Sequence, residues 1–364
     1  MKADVKLFVN GKVYGGWESV SIKRSMSSLS GSFTIAFTDR WHGQKTSWAI
    51  PAGASCRVTV AGKTVITGYV DSVQSSHSAT SRSLSVSGRD VTGDLVDCSA
   101  EVSTFIKLPF IDIAKKLCAP YGVSVVDEVG TDFVIDRFVV QIGESVFQTL
   151  ERAAKLAGVL LTTDGAGVLI VTRAGRGGRT DDDLVTGQNI LTANLSNDAS
   201  QLFSEITIKS QTTAGGQSKY DLVASQPAST VTRTVASSGV DGVDRHRPLI
   251  LISESQATTD RCRQRAQWEA GHRQALARKL SVTVQDWSQS TGSLWSPNRL
   301  VHVKDAWLRI DEDWLIESVT YQLSSSGSTT KIDLVGPGSF DVLPEIPEVQ
   351  SSDSSKSETT KYQL

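Results

Sequence analysis

Polar and apolar residues alternate from the start of the chain through Val5-Lys-Leu-Phe-Val9, the period of a half-buried strand. Asn10-Gly11 follows, a pair that tolerates the positive φ angles of a two-residue hairpin turn. Through the first hundred residues similar stretches recur at roughly 8 to 12 residue intervals, separated by Gly, Ser and Asn. They predict strands over residues 19–24, 31–38, 55–60, 64–75 and 81–88, with Phe33, Ile35 and Phe37 on one face. This is the pattern of a small antiparallel β-barrel or sandwich, placed at residues 1–100.

The period changes between residues 105 and 173. Pro109 suits a first helical turn, where its missing N–H costs nothing, and Ile111, Ala114, Lys115 and Cys118 follow at helical spacing until Pro120 ends the run. A second helix is predicted over 144–157, with Val146, Phe147, Leu150 and Ala153 on its apolar stripe and Gly158 as the stop. Residues 159–163 and 168–172, joined by Asp164-Gly-Ala-Gly167, predict a hairpin. A small α/β domain is therefore expected over 101–180, leaving through the flexible segment Arg173-Ala-Gly-Arg-Gly-Gly-Arg-Thr-Asp-Asp-Asp183.

Strand patterns return at 190–195 and 203–211, before a polar segment and a long helix that together occupy about 212–278. The helix opens at Ser253 with Gln256 three residues on, a capping-box arrangement. Strands are then predicted over 280–287, 300–304, 307–310, 314–323 and 330–335, giving a second β-barrel over 185–345. The last stretch, 346–364, is dominated by Ser, Thr, Lys, Asp and Glu, too poor in apolar residues to offset ordering entropy, and is expected to be disordered. Laying 51–88 beside 297–336 reveals a weak repeat. In each, an alternating strand (Cys56-Arg-Val-Thr-Val60; Leu300-Val-His-Val303) leads to a long second strand and a Ser-rich turn, and a third strand ends in Gly88 or Gly336. Few identities support the match; chance similarity between two β hairpins is the competing explanation.

The 364 residues are 39% hydrophobic and 21% charged, which describes a globular chain with material for two or three cores. No uninterrupted apolar stretch is long enough for a signal peptide or a bilayer span, so the expectation is a protein made and kept in a cytoplasm, with no membrane anchoring. A net charge of −2 gives no global attraction to nucleic acid or anionic lipid. Cys56, Cys98, Cys118 and Cys262 are scattered and suggest reduced thiols rather than a zinc site or a disulfide framework.

Catalytic chemistry needs a nucleophile with its base, paired carboxylates or a metal cluster. His42, His77, His246, His272 and His302 lie in no HExxH or HxH arrangement. Asp241-Gly-Val-Asp-Arg-His246 pairs carboxylates with an imidazole but reads as a solvated turn, and Asp181–Asp183 and Asp311–Asp313 lack the alternation of a calcium loop. No Walker A sequence or helix-opening GxGxxG is present. No catalytic residue, cofactor or metal is expected. The long helix carries Arg261, Arg263, Arg265, Arg273, Arg278 and Lys279; residues two apart face different ways, which leaves a salt-bridged surface helix and a protein interface both open. Trp41 and Trp48 flank a polar loop, as a cap on the core or as interface anchors.

Tyr14-Gly-Gly-Trp17, Thr67-Gly-Tyr-Val-Asp71, Ser87-Gly-Arg-Asp90, Gly93-Asp-Leu-Val-Asp-Cys-Ser-Ala100, Ile142-Gly-Glu-Ser-Val-Phe147, Arg245-His-Arg-Pro248 and Gly292-Ser-Leu-Trp-Ser-Pro-Asn298 together resemble the Mu-type phage tail hub proteins. The resemblance extends to about Phe340 and omits the Ser-rich tail. It implies a mainly β chain with two similar small antiparallel β-barrels and an α/β domain between them, assembling as a homotrimeric ring of quasi-sixfold symmetry. Such a ring implies a non-enzymatic baseplate hub of the virion, assembled in the host cytoplasm. It would adapt a sixfold tail tube to a threefold central spike and leave a channel through which DNA passes. The candidate subunit or partner interface is Trp41, Trp48, Arg261, Arg265 and Trp295. A tail-tip cell-wall hydrolase, which would need a carboxylate pair or metal, and a glycan-binding adhesin, which would array tryptophans on a solvent face, are the alternatives.

Overall fold

The computed structural model describes residues 4–38, 50–79, 82–209, 228–232, 245–252, 259–325 and 327–342. The chain begins with the hairpin β1 (Val5–Val9) and β2 (Lys12–Tyr14). Its turn residues Asn10 and Gly11 have φ of 49° and 75°, the positive angles that Asn-Gly supplies. Then come β3 (Ser19–Ser25), β4 (Ser32–Thr38), β5 (Ser55–Val60), β6 (Lys63–His77) and β7 (Arg82–Asp90). All are antiparallel in the order β3-β4-β7-β6-β5-β1-β2. Alternation decides which face is inside: Val20 and Ile22 on β3 and Phe33, Ile35 and Phe37 on β4 are all buried.

A short helix α1 (Gly93–Asp97) leads into the second core. Strand β8 (Thr104–Pro109) precedes α2 (Phe110–Cys118), whose N-cap is Pro109; Pro120 lies in the 3₁₀ turn that follows the helix. Next are β9 (Ser124–Asp127), β10 (Val134–Val139), α3 (Val146–Ala157), β11 (Leu160–Thr163) and β12 (Val168–Thr172). β8 pairs with β10, and β12 pairs with β11 and, in parallel, with β9. Helix α3 starts with a complete capping box between Ser145 and Gln148 and stops at Gly158, φ 65°. Phe110, Ile113, Leu150 and Leu169 fill the core beneath the helices.

The remaining elements are β13 (Leu184–Val185), β14 (Ile190–Asn197), β15 (Glu205–Lys209), β16 (Ala228–Thr232), β17 (Pro248–Ile252), α4 (Thr259–Ala277), β18 (Arg278–Gln285), β19 (Leu300–Asp305), β20 (Ile310–Ser324) and β21 (Gly327–Val335). β15 sits between β16 and β17 in a small sheet, with Cys262 and Ala266 of α4 against Ile206 and Ile208. Strands β16 and β17 fall within 212–278, the stretch expected to hold a polar segment and a long helix. The capping pair Ser253 and Gln256 lies outside the described residues, as do Trp41, Trp48 and the tail 346–364. Residues 307–310, expected as a strand, form a turn with Trp307 88% exposed and Arg309 at φ 56°; β20 begins at its end.

The large sheet runs β14-β18-β21-β20-β3-β4-β7-β6-β5-β1-β2, with β19 beside β20 and β13 beside β19. The expected pair of β-barrels does not emerge as two closed circuits: pairing among the described residues traces one open path, and a single apolar core runs under both halves. The segment 173–183, expected to be flexible, is tied down. Gly175 N donates to Asn298 Oδ1 at 2.7 Å, Asp181 N donates to Gln289 Oε1 at 2.7 Å, and Arg179 makes two 2.7 Å bonds to Asp313. Its glycines let the backbone lie close: a Cβ at Gly177 would stand 2.6 Å from the Asn298 carbonyl oxygen.

Candidate functional site: a strand joint and two open edges

Two parts of the large sheet share one design. β5, β6 and β7 are 6, 15 and 9 residues long, and β19, β20 and β21 are 6, 15 and 9. Each 15-residue strand bends at a β-bulge, between Val70 and Ser72 in β6 and between Ile316 and Ser318 in β20, which turns its two halves toward different neighbours. The approach to each bulge is also repeated. Gly53 N donates to the Val70 carbonyl at 2.7 Å and Val70 N to the Ala54 carbonyl at 3.0 Å. Asn298 N donates to the Ile316 carbonyl and Ile316 N to the Arg299 carbonyl, both at 2.9 Å. Gly53 and Asn298 both have positive φ, 81° and 63°. β4 then flanks β7 as β18 flanks β21, and β3 flanks β4 as β14 flanks β18.

The halves meet at one joint. The far part of β20 pairs antiparallel with β3, Val319 opposite Arg24, Tyr321 opposite Ile22 and Leu323 opposite Val20. Val319, Tyr321, Ile22 and Val20 are buried there. The Tyr321 hydroxyl donates to the Trp295 carbonyl, and burial pushes its pKa up to about 12. Met26 N closes the joint by donating to the Glu317 carbonyl at 2.8 Å.

Among the described residues neither counterpart of this joint is made: the outer edge of β14 carries no paired strand, and β6 beyond its bulge pairs only with β7. Ala193 and Leu195 on β14, and Val73 on β6, pack on the core but stay half-buried.

Trp295, expected at an interface, is 2% exposed and belongs to the core, so the structure removes it from the surface set. Arg265 lines a groove of about 440 Å³ with Met26, Phe147, Trp268 and Val342, reaching toward Glu269 at 4.0 Å. Arg261 lies in α4, but its side chain, like all of Trp41 and Trp48, is outside the described residues. The residue pattern predicts strands over 190–195 and 64–75 but not which of their edges stay unpaired, because that depends on what lies beside each strand.

Among the described residues no group of three or more His, Cys, Asp or Glu could hold a metal, and no helix is long and apolar enough to cross a membrane. None of the four cysteines is in a disulfide; burial pushes the Cys56 and Cys118 thiols up to about 12. His302 sits between two carboxylates, with Nδ1 3.0 Å from Asp313 and Nε2 2.9 Å from Asp311.

Over 341 residues, 92% of this chain and 88% of the relative, the sequence is 33% identical to the baseplate hub protein gp44 of Escherichia phage Mu. The chain belongs to the Mu-type baseplate hub family. Three family models agree with this hub assignment: Mu phage baseplate assembly protein GpP-like, N-terminal, over 4–90; baseplate hub protein gp44-like, second domain, over 92–173; and Mu phage baseplate assembly protein GpP, fourth domain, over 258–343. Solved relatives of the hub include the 43 kDa tail protein of prophage MuSo2 from Shewanella oneidensis. It has TM-score 0.82 and 32% identity, over 93% of this chain and 100% of that one. A tail protein from Neisseria meningitidis MC58 has TM-score 0.78 and 25% identity, over 95% and 100%. The hub is thus a mainly β structural protein of a phage baseplate.

Proposed function

We propose that three copies of this hub form a ring in which each copy supplies two barrel-like units, the first within residues 1–100 and the second within 185–345. The α/β domain, 101–180, stands outside the ring. The observation that carries this reading is the repeat of strand order, strand length and bulge within one chain. Three chains with two equivalent units each present six similar lobes from a strictly threefold assembly. Such a ring matches a sixfold tail tube on one face and a threefold central spike on the other. Its work is mechanical and non-enzymatic: it seals and aligns the tube on the spike and leaves an axial channel for DNA. The channel wall is neutral or acidic, because a basic wall would hold the DNA that must pass.

Electron microscopy of the purified protein, with its solution mass, tests this. The expected result is a threefold ring of six similar lobes around an open channel. Monomers that persist and also fail to form rings with the cognate spike would overturn it.

A further inference from the structure

We propose that residues 343–349, which follow the last described residue, lie back along the groove between α3 and α4 and strap the α/β domain to the end of the second half. The strap is made within one copy and does not depend on ring closure.

The groove gathers side chains from three parts of the chain. Phe147 of α3 and Leu160 and Leu161 of β11 come from the α/β domain, Met26 from just after β3, and Trp268 from α4. All five are half-buried, so the described residues cover this apolar surface only in part. Its volume of about 440 Å³ is that of a pocket for a compact small molecule, enough for a few aliphatic side chains and too little for another helix. Lys155 and Arg265 line it together with Glu151 and Asp341. The charges balance, and apolar contact decides what the groove takes.

The chain itself runs into this groove. Phe340, Asp341 and Val342 line it, and Trp268 Nε1 donates to the Asp341 carbonyl at 2.9 Å, which fixes the point of entry. A segment tethered so close meets the groove at a far higher effective concentration than a free partner does. The sequence that follows, Leu343-Pro-Glu-Ile-Pro-Glu-Val349, repeats apolar and Glu positions every third residue with Pro between them. Polyproline II has three residues per turn, so in that conformation Leu343, Ile346 and Val349 share one face and Glu345 and Glu348 another. Pro344 and Pro347 restrict themselves and the residues before them to such angles, which lowers the entropy lost on docking. Residues 346–349, part of the stretch expected to be disordered, are thereby drawn onto the folded body.

A cysteine scan of the full chain tests this, in a Cys98→Ser background because the other three cysteines are buried. Leu343→Cys, Glu345→Cys, Ile346→Cys, Glu348→Cys and Val349→Cys are made one at a time and labelled with a small thiol reagent. The expected result is a period of three, with positions 343, 346 and 349 labelled about tenfold or more slowly than 345 and 348. Ile346→Asp added to Leu343→Cys should restore fast labelling while leaving the groove intact, and Phe147→Glu should do so from the groove side. Equal labelling at all five positions in the purified protein would overturn the strap, even if the cognate spike later slowed it. Protection that neither Ile346→Asp nor Phe147→Glu relieves would overturn the groove as its cause. Protection lost when an assembled ring is diluted to monomers would give the groove to a second copy and overturn the strap within one chain. Monomers that never form rings yet keep the period of three would support the strap while the ring reading fell.

Discussion

At Gly88 a Cβ would stand 2.1 Å from the Tyr69 carbonyl oxygen and 2.7 Å from Phe33 Cε1. Neither the backbone of β6 nor a buried ring yields cheaply, so Gly88→Ala should lower stability by about 3 kcal/mol, the upper part of the range for overpacking, measurable by urea unfolding. Tyr321 raises the complementary issue. Tyr321→Phe keeps the ring but leaves the buried Trp295 carbonyl without its donor, and should cost about 1–3 kcal/mol. His302 is a surface matter. Hydrogen bonds to Asp313 and then Asp311 raise its pKa above the ordinary value, while Arg179 and then His302 lower that of Asp313 to about 2. Because the folded pKa is the higher one, the small stabilisation is fully present below the unfolded value of about 6.5 and fades as pH rises through the folded one. An NMR titration should find His302 above its ordinary range, and Asp313→Asn should bring it down.

Among elements, helix α3 shows what was legible in the sequence. Its stripe, its Gly158 stop and its strand partners were readable because each is a local signal, and the capping box adds a prediction: Ser145→Ala should cost about 1 kcal/mol in thermal or urea unfolding. The repeat was legible only faintly, and the register explains why. Gly68 occupies the place of Trp314, Gly88 that of Leu334, and Arg57 that of His302. The first unit brings backbones together where the second fills the space with a large side chain, so the two preserve strand order and bulge but not residue identity. The linker 173–183 was misread because Gly and Asp in a run look like solvent-facing coil. Here the same residues serve close approach to Asn298 and bonding to Ser290, where the Ser290 amide donates to Asp182 Oδ2 at 2.6 Å. The open edges had no local signal at all, since an unpaired strand differs from a paired one only in what lies beside it.

For the whole molecule, β14 carries no charged residue, and residues 72–77 of β6 carry only His77 as a titratable group. Were the proposed ring to close through these two edges, it would be held by backbone hydrogen bonds and a few apolar contacts, which salt screens little. Its trimer–monomer equilibrium should change by less than about threefold between about 50 and 500 mM salt, checked by analytical ultracentrifugation; a steep loss would point to an ionic contact instead. The internal joint has a further consequence, in time rather than space. It pairs Val20 with Leu323, near opposite ends of the described chain, and pairings so distant in sequence close slowly. As the polypeptide emerges from the ribosome, β3 waits with one side bare until almost all of the chain has been synthesised. Only then can a single copy unite its own halves, and until then the bare side of β3 is a template for any other free strand.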